Sequence, residues 1–110
     1  MAKTDWAYLY RNSGGVVAYR RVGPLVMLRW RVFQQTSIPW VVSAALPSWA
    51  RPELDITVAA SGVIDGSLVD HTAMASISTG GKITLQSGGA DTINGRYNVG
   101  QAVWAWNRGA

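Results

Sequence analysis

Apolar and polar residues alternate along most of this chain, and a two-residue period is the mark of a strand with one buried face. From Trp6 to Arg11, rings alternate with other side chains, which sets Trp6, Tyr8 and Tyr10 on one face. Asn12-Ser13-Gly14-Gly15 reads as a turn. Val16 to Val22 follows as a strand with Val17, Tyr19 and Arg21 on one side and Val16, Ala18 and Arg20 on the other. After the turn at Gly23-Pro24, Leu25 to Phe33 is the clearest strand of all. Val26, Leu28, Trp30 and Val32 share one face, and Met27, Arg29, Arg31 and Phe33 the other. The first is the core face, because the second would bury two guanidinium groups.

The same reading continues to the C-terminus. Gln34 to Pro39 is a polar loop, and Trp40 to Leu46 is a strand stopped by Pro47. Pro52 ends an irregular corner. Asp55 to Ser61 sets Ile56, Val58 and Ala60 against Thr57 and Ala59, and Gly62 to Asp70 is expected to carry a loop. Thr72 to Ser78 and Lys82 to Ser87 flank Thr79-Gly80-Gly81, a hairpin turn whose two glycines are free to take positive φ. Gly88 to Asn94 is a polar loop, and Arg96 to Val99 and Gln101 to Asn107 close the chain. No segment holds a 3.6-residue period with caps. The expectation is an all-β fold in a single domain spanning 1–110: an antiparallel β-sandwich or barrel of about eight or nine short strands.

Composition narrows the function. Charged residues are only 15% of the chain, against about 25% in an ordinary soluble domain, which points to surface covered in an oligomer. Six Trp and four Tyr supply large rings for core, subunit contact and ligand alike. The net charge of +4 comes mostly from Arg and favours an anionic partner. No basic run exceeds two residues, so nucleic acid is not the expected partner. With no Cys there is no disulfide, thiolate metal site or Cys nucleophile. The segment Met1 to Trp6 has no apolar stretch of the signal-peptide kind, and no uninterrupted apolar run is long enough to span a bilayer.

Enzyme readings lack their residues. A glycosidase needs two carboxylates at a set separation, and Asp65 with Asp70 is the candidate pair among only six acidic residues. A Ser–His–Asp set would have to use His71, with no nucleophile elbow beside it. Gly80-Gly81 and Gly88-Gly89 lie between strands, not before a helix, so they are not phosphate-binding loops. No catalytic residue and no cofactor is expected.

Several motifs in one order resemble the C-terminal receptor-binding head domains of tailed-bacteriophage tail fibres and baseplate proteins. Tyr19-Arg20-Arg21-Val22-Gly23, with Val26-Met27-Leu28-Arg29 after it, is similar to the opening of such domains. Leu46-Pro47-Ser48-Trp49-Ala50-Arg51-Pro52 is close to their Leu-Pro-x-Gly-Tyr-Arg-Pro corner, with Trp49-Ala50 where Gly-Tyr is usual. Ala75 to Leu85 is similar to their hairpin, and Val103-Trp104-Ala105-Trp106 to their last strand. The resemblance implies a homotrimer at a fibre tip, joined to the rest of the tail fibre or baseplate. It implies attachment to a bacterial surface glycan or phosphopolymer, and location on the virion. No family site transfers residue by residue.

The residues themselves suggest where a saccharide would be held. Trp40 and Trp49 flank the Leu46-Pro47 corner outside the alternating core positions, and an indole face is a platform for a sugar ring. Asp65, Asp70 and His71 share one loop-like stretch and are candidate partners for sugar hydroxyls; their spacing fits no calcium-loop template, so no metal is expected. Asn94 and Arg96 in the second polar loop are placed to clamp an acidic or phosphorylated group. Trp30, Trp104 and Trp106 are expected to be packing residues. Two other readings stay open: a purely structural trimerisation or capping module of a fibre, and an oligonucleotide-binding β-barrel, suggested by Arg with aromatics.

Overall fold

The structure, a computed structural model, describes residues 4–34, 40–64, 67–70, 73–86 and 96–106, with positions 34, 64, 67–70 and 96 described by backbone alone. The alternating segments become strands β1 (Ala7–Asn12), β2 (Gly15–Val22), β3 (Leu25–Gln34), β4 (Trp40–Val41), β5 (Ile56–Ala59), β6 (Ser61–Ile64), β7 (Ser67–Asp70), β8 (Met74–Ile77), β9 (Ile83–Gln86) and β10 (Arg96–Ala105). They form a six-stranded sheet, ordered β1-β2-β3-β10-β6-β7, and a four-stranded sheet, ordered β4-β9-β8-β5. Every pairing is antiparallel. The fold is therefore the expected all-β sandwich. Val26, Leu28, Trp30 and Val32 of β3 are all buried between the sheets, as the alternation required. Ile77, Ile83 and Leu85 face them from the four-stranded sheet with no exposed surface, each worth about 1.5–3 kcal/mol of burial.

Ten strands stand among the described residues where about eight or nine were expected. Gly62 to Asp70, expected to carry a loop, contributes the hairpin β6–β7, whose strands alternate too briefly to be read by period. The two closing segments are one strand, because β10 runs straight through Gly100 while paired with β3 along its whole length. Trp40 to Leu46 shortens to Trp40–Val41, although Val42 N and Leu46 N still donate to Ile83 O at 2.8 Å and Gly81 O at 2.9 Å. The strand gives way at Ser43-Ala44, where the chain leaves the sheet edge to reach the corner. In the β8–β9 turn only Gly81 takes a positive φ, 82°; Gly80 does not. The loops Gln34 to Pro39 and Gly88 to Asn94 lie almost wholly outside the described residues.

The Leu46-to-Pro52 corner is a turn of 3-10 helix, Ser48–Ala50, entered from Pro47 at φ −63°. Leu46 is fully buried, and Arg51 Nε donates to its carbonyl at 2.9 Å. Ala50 is buried as well, and its carbonyl accepts the indole N–H of Trp104 at 2.9 Å. A cation and an indole thus satisfy backbone that a buried corner would leave orphaned.

Candidate functional site

The outward face of the six-stranded sheet gathers the groups with chemistry. Its residues follow from the pleat. β2 turns Val16, Ala18 and Arg20 outward, and the register brings them opposite Arg31, Arg29 and Met27 of β3. β10 adds Tyr97, Val99 and Gln101, opposite Phe33, Arg31 and Arg29. β1 adds Tyr8, opposite Ala18. A bulge in β1 then shifts the register, so that Tyr10 is opposite Val17. Trp6, Tyr8 and Tyr10 therefore do not share one face as the alternation predicted. Tyr8 stays outside, 54% exposed, while Tyr10 packs on the core.

Between these side chains lies an open groove of about 600 Å³. Trp6, Tyr8, Val16, Ala18 and Val99 make its walls mostly apolar, with Arg29, Arg31, Ser61 and Gln101 among its polar groups. The guanidinium carbons stand over rings: Arg11 4.7 Å from the Tyr8 centroid, Arg20 4.5 Å and Arg29 5.1 Å from Trp6, and Arg31 3.9 Å from Tyr97. Tyr97 also meets Phe33 edge-on at 5.4 Å. Arg29 Nε donates to Gln101 Oε1 at 2.8 Å, whereas Arg20 Nε is buried with no hydrogen-bond partner. No carboxylate lines the groove among the described residues. Guanidinium groups set over ring faces can meet an anion through their N–H edges.

A second, smaller groove of about 350 Å³ lies on the outward face of the other sheet. Thr57, Ser76, Ser78 and Thr84 give it hydroxyls, and Asp55 and Lys82 stand at its rim. Thr57 Oγ1 and Ser76 Oγ are 3.4 Å apart. It carries no ring and so offers no stacking surface.

The residues singled out in the sequence fall in other places. Trp40 is half-buried at the sandwich edge and meets Tyr10 edge-on, with centroids 5.0 Å apart. Trp49, in the 3-10 turn, is half-buried against Tyr19 at 5.9 Å. The backbones of Asp70 and Arg96 lie on β7 and β10, paired with Gly62 and Gln34, and their side chains are outside the description. Asp65, His71 and Asn94 lie outside the described residues. Trp30 and Trp104 are buried packing residues, and Trp106 is half-buried with Arg21 over its ring at 3.9 Å. No group of three or more His, Asp or Glu gathers into a metal site among the described residues. The groove residues Trp6, Tyr8, Arg29 and Arg31, and Arg20 over the Trp6 ring, were not among the sequence candidates. Alternation put Arg29 and Arg31 on the outward face, but their pairing with rings on other strands is set by register.

No family model matches this chain. No curated protein matches it. Among solved structures it is similar to the head domain of phage bIL170, described as a lactococcal-phage receptor-binding domain, with a TM-score of 0.65 and 16% identity. The match covers 94% of this chain and 98% of that one. The chain thus has the fold of a phage receptor-binding head domain, from near one end to near the other.

Proposed function

We propose that this chain is a host-attachment domain carried at a phage tail tip, binding a saccharide or phosphopolymer of the bacterial surface and performing no catalysis. The observation that carries this reading is the whole-length fold likeness to a phage receptor-binding head domain. It is supported by an outward groove lined by rings and guanidinium groups, the side chains that hold sugars and their acidic substituents. Receptor contact is assigned to this groove, with Trp40, Trp49 and the loops bearing Asp65, Asp70, His71, Asn94 and Arg96 as the second candidate surface. The domain is proposed to act as a homotrimer, joined to the remainder of the tail fibre or baseplate.

The test is adsorption of the fluorescently tagged 110-residue chain to intact bacteria of a broad strain panel, with competition against phage adsorption. Strain-restricted adsorption that blocks the phage is the expected result. A chain that adsorbs to no strain and blocks no phage overturns attachment and leaves the capping-module reading. Sedimentation equilibrium should give a mass about three times that of the single chain, from the homotrimer proposal.

A further inference from the structure

We propose that the outward face of the six-stranded sheet binds an extended polyanion, a phosphodiester polymer of the cell envelope, laid along the strand direction on a ladder of arginines. This deepens the attachment reading and rests on it. Four guanidinium groups stand on this face. The strand register sets Arg20 level with Met27, Arg29 two residues further along β3, and Arg31 two further again, with Arg11 opposite Val16 at that same last level. Same-face residues along a strand are about 6.6–6.8 Å apart. The ladder therefore roots arginines at three successive levels roughly 7 Å apart along the strands, a linear spread that suits a charged polymer better than a single small anion.

Three further observations favour that occupant. None of the four arginines has a carboxylate partner among the described residues, and Arg20 Nε is buried with no acceptor. The positive charge on this face is therefore uncompensated among the described residues. A two-fold contact of this face with itself would bring the same four cations together and is electrostatically unfavourable. Finally, guanidinium groups stand over Tyr8, Trp6 and Tyr97. A guanidinium covers a face of each of these rings, which limits stacking there and makes the charged fork edges the main recognition element.

The experiment measures binding of the full chain to purified poly(glycerol phosphate), neutral dextran and a single-stranded oligonucleotide across a salt series. Binding to the phosphate polymer should weaken steeply with salt, and dextran should not bind. Arg29→Gln should weaken polymer binding by about tenfold, and Arg29→Gln with Arg31→Gln by more, since each removes a charge-assisted fork contact. Lys82→Gln removes one charge from the opposite face, at an exposed position, and should leave the affinity unchanged. Unaltered thermal melting of each variant shows that the fold is intact. Equal loss from Lys82→Gln and Arg29→Gln, undiminished binding by the double variant, or equal binding of dextran overturns the ladder. Tighter binding of the oligonucleotide assigns the face to nucleic acid and overturns it as well. If the double variant still adsorbs to cells like the parent chain, the ladder falls while attachment stands. If the parent adsorbs to no cell, attachment itself falls.

Discussion

The indole of Trp30 occupies the space that a side chain at Gly100 would need. A Cβ at Gly100 would stand 2.4 Å from Trp30 Cζ2 and 2.9 Å from Cε2. The two residues are cross-strand partners, and Trp30 is only 3% exposed. Gly100 is what lets a ring this large lie against β10 inside the sandwich. Gly100→Ala is expected to destabilise the domain by about 1–3 kcal/mol, because the buried ring has little room to retreat. Urea denaturation followed by Trp fluorescence measures this; an unchanged midpoint would mean that the ring moves freely.

Asn98 is the next inward residue of β10 and is completely buried. Its Oδ1 accepts the Trp30 indole N–H at 2.8 Å, and its Nδ2 donates to Gln86 O at 3.3 Å and, at the limit, to Met74 O at 3.5 Å. One amide thus fixes the indole and bridges to both central strands of the opposite sheet. Asn98→Ala leaves buried polar groups without these partners and is expected to cost about 1–3 kcal/mol. Amide hydrogen exchange should show the loss at the ends of β8 and β9 as well as on β10.

The corner makes a sharper test of a motif. Gly81 holds φ 82°, and a Cβ there would stand 2.8 Å from Leu46 O and 2.9 Å from Arg51 Nε. Gly81→Ala therefore combines backbone strain with overlap, and Arg51→Met keeps the stem while removing the donor to Leu46 O. Each is expected to lower stability by about 1–3 kcal/mol. Differential scanning calorimetry should find the two effects less than additive, since both act on the one carbonyl.

The bulge in β1 predicts opposite fates for two tyrosines that sit two residues apart. Tyr10→Ala removes a ring packed on the core and against Trp40 and is expected to cost about 2–4 kcal/mol. Tyr8→Ala, at an exposed position, should change stability by no more than about 0.5 kcal/mol. Equal costs in chemical denaturation would mean that the two rings share a face after all.

Much of this molecule was legible before any coordinate. Side chains in a strand must alternate, and arginine is costly to bury, so the pattern of β3 alone separated Val26, Leu28, Trp30 and Val32 from Met27, Arg29, Arg31 and Phe33. On β10 the same alternation buries Ala102 and Trp104. Period and burial cost are local properties, so they can be read from neighbouring letters.

Register is not local. Whether Arg31 meets Tyr97, or Arg20 meets Trp6, depends on how strands far apart in the chain slide past each other. A single extra residue in β1 turned Tyr10 inward against the apparent period. The groove, its arginine ladder and the Trp30–Asn98 bridge are therefore products of pairing: they arise only when β1, β2, β3 and β10 are brought into one sheet and closed against the other. Alternation tells each strand which side to bury, but only the packed sheets decide which side chains become neighbours.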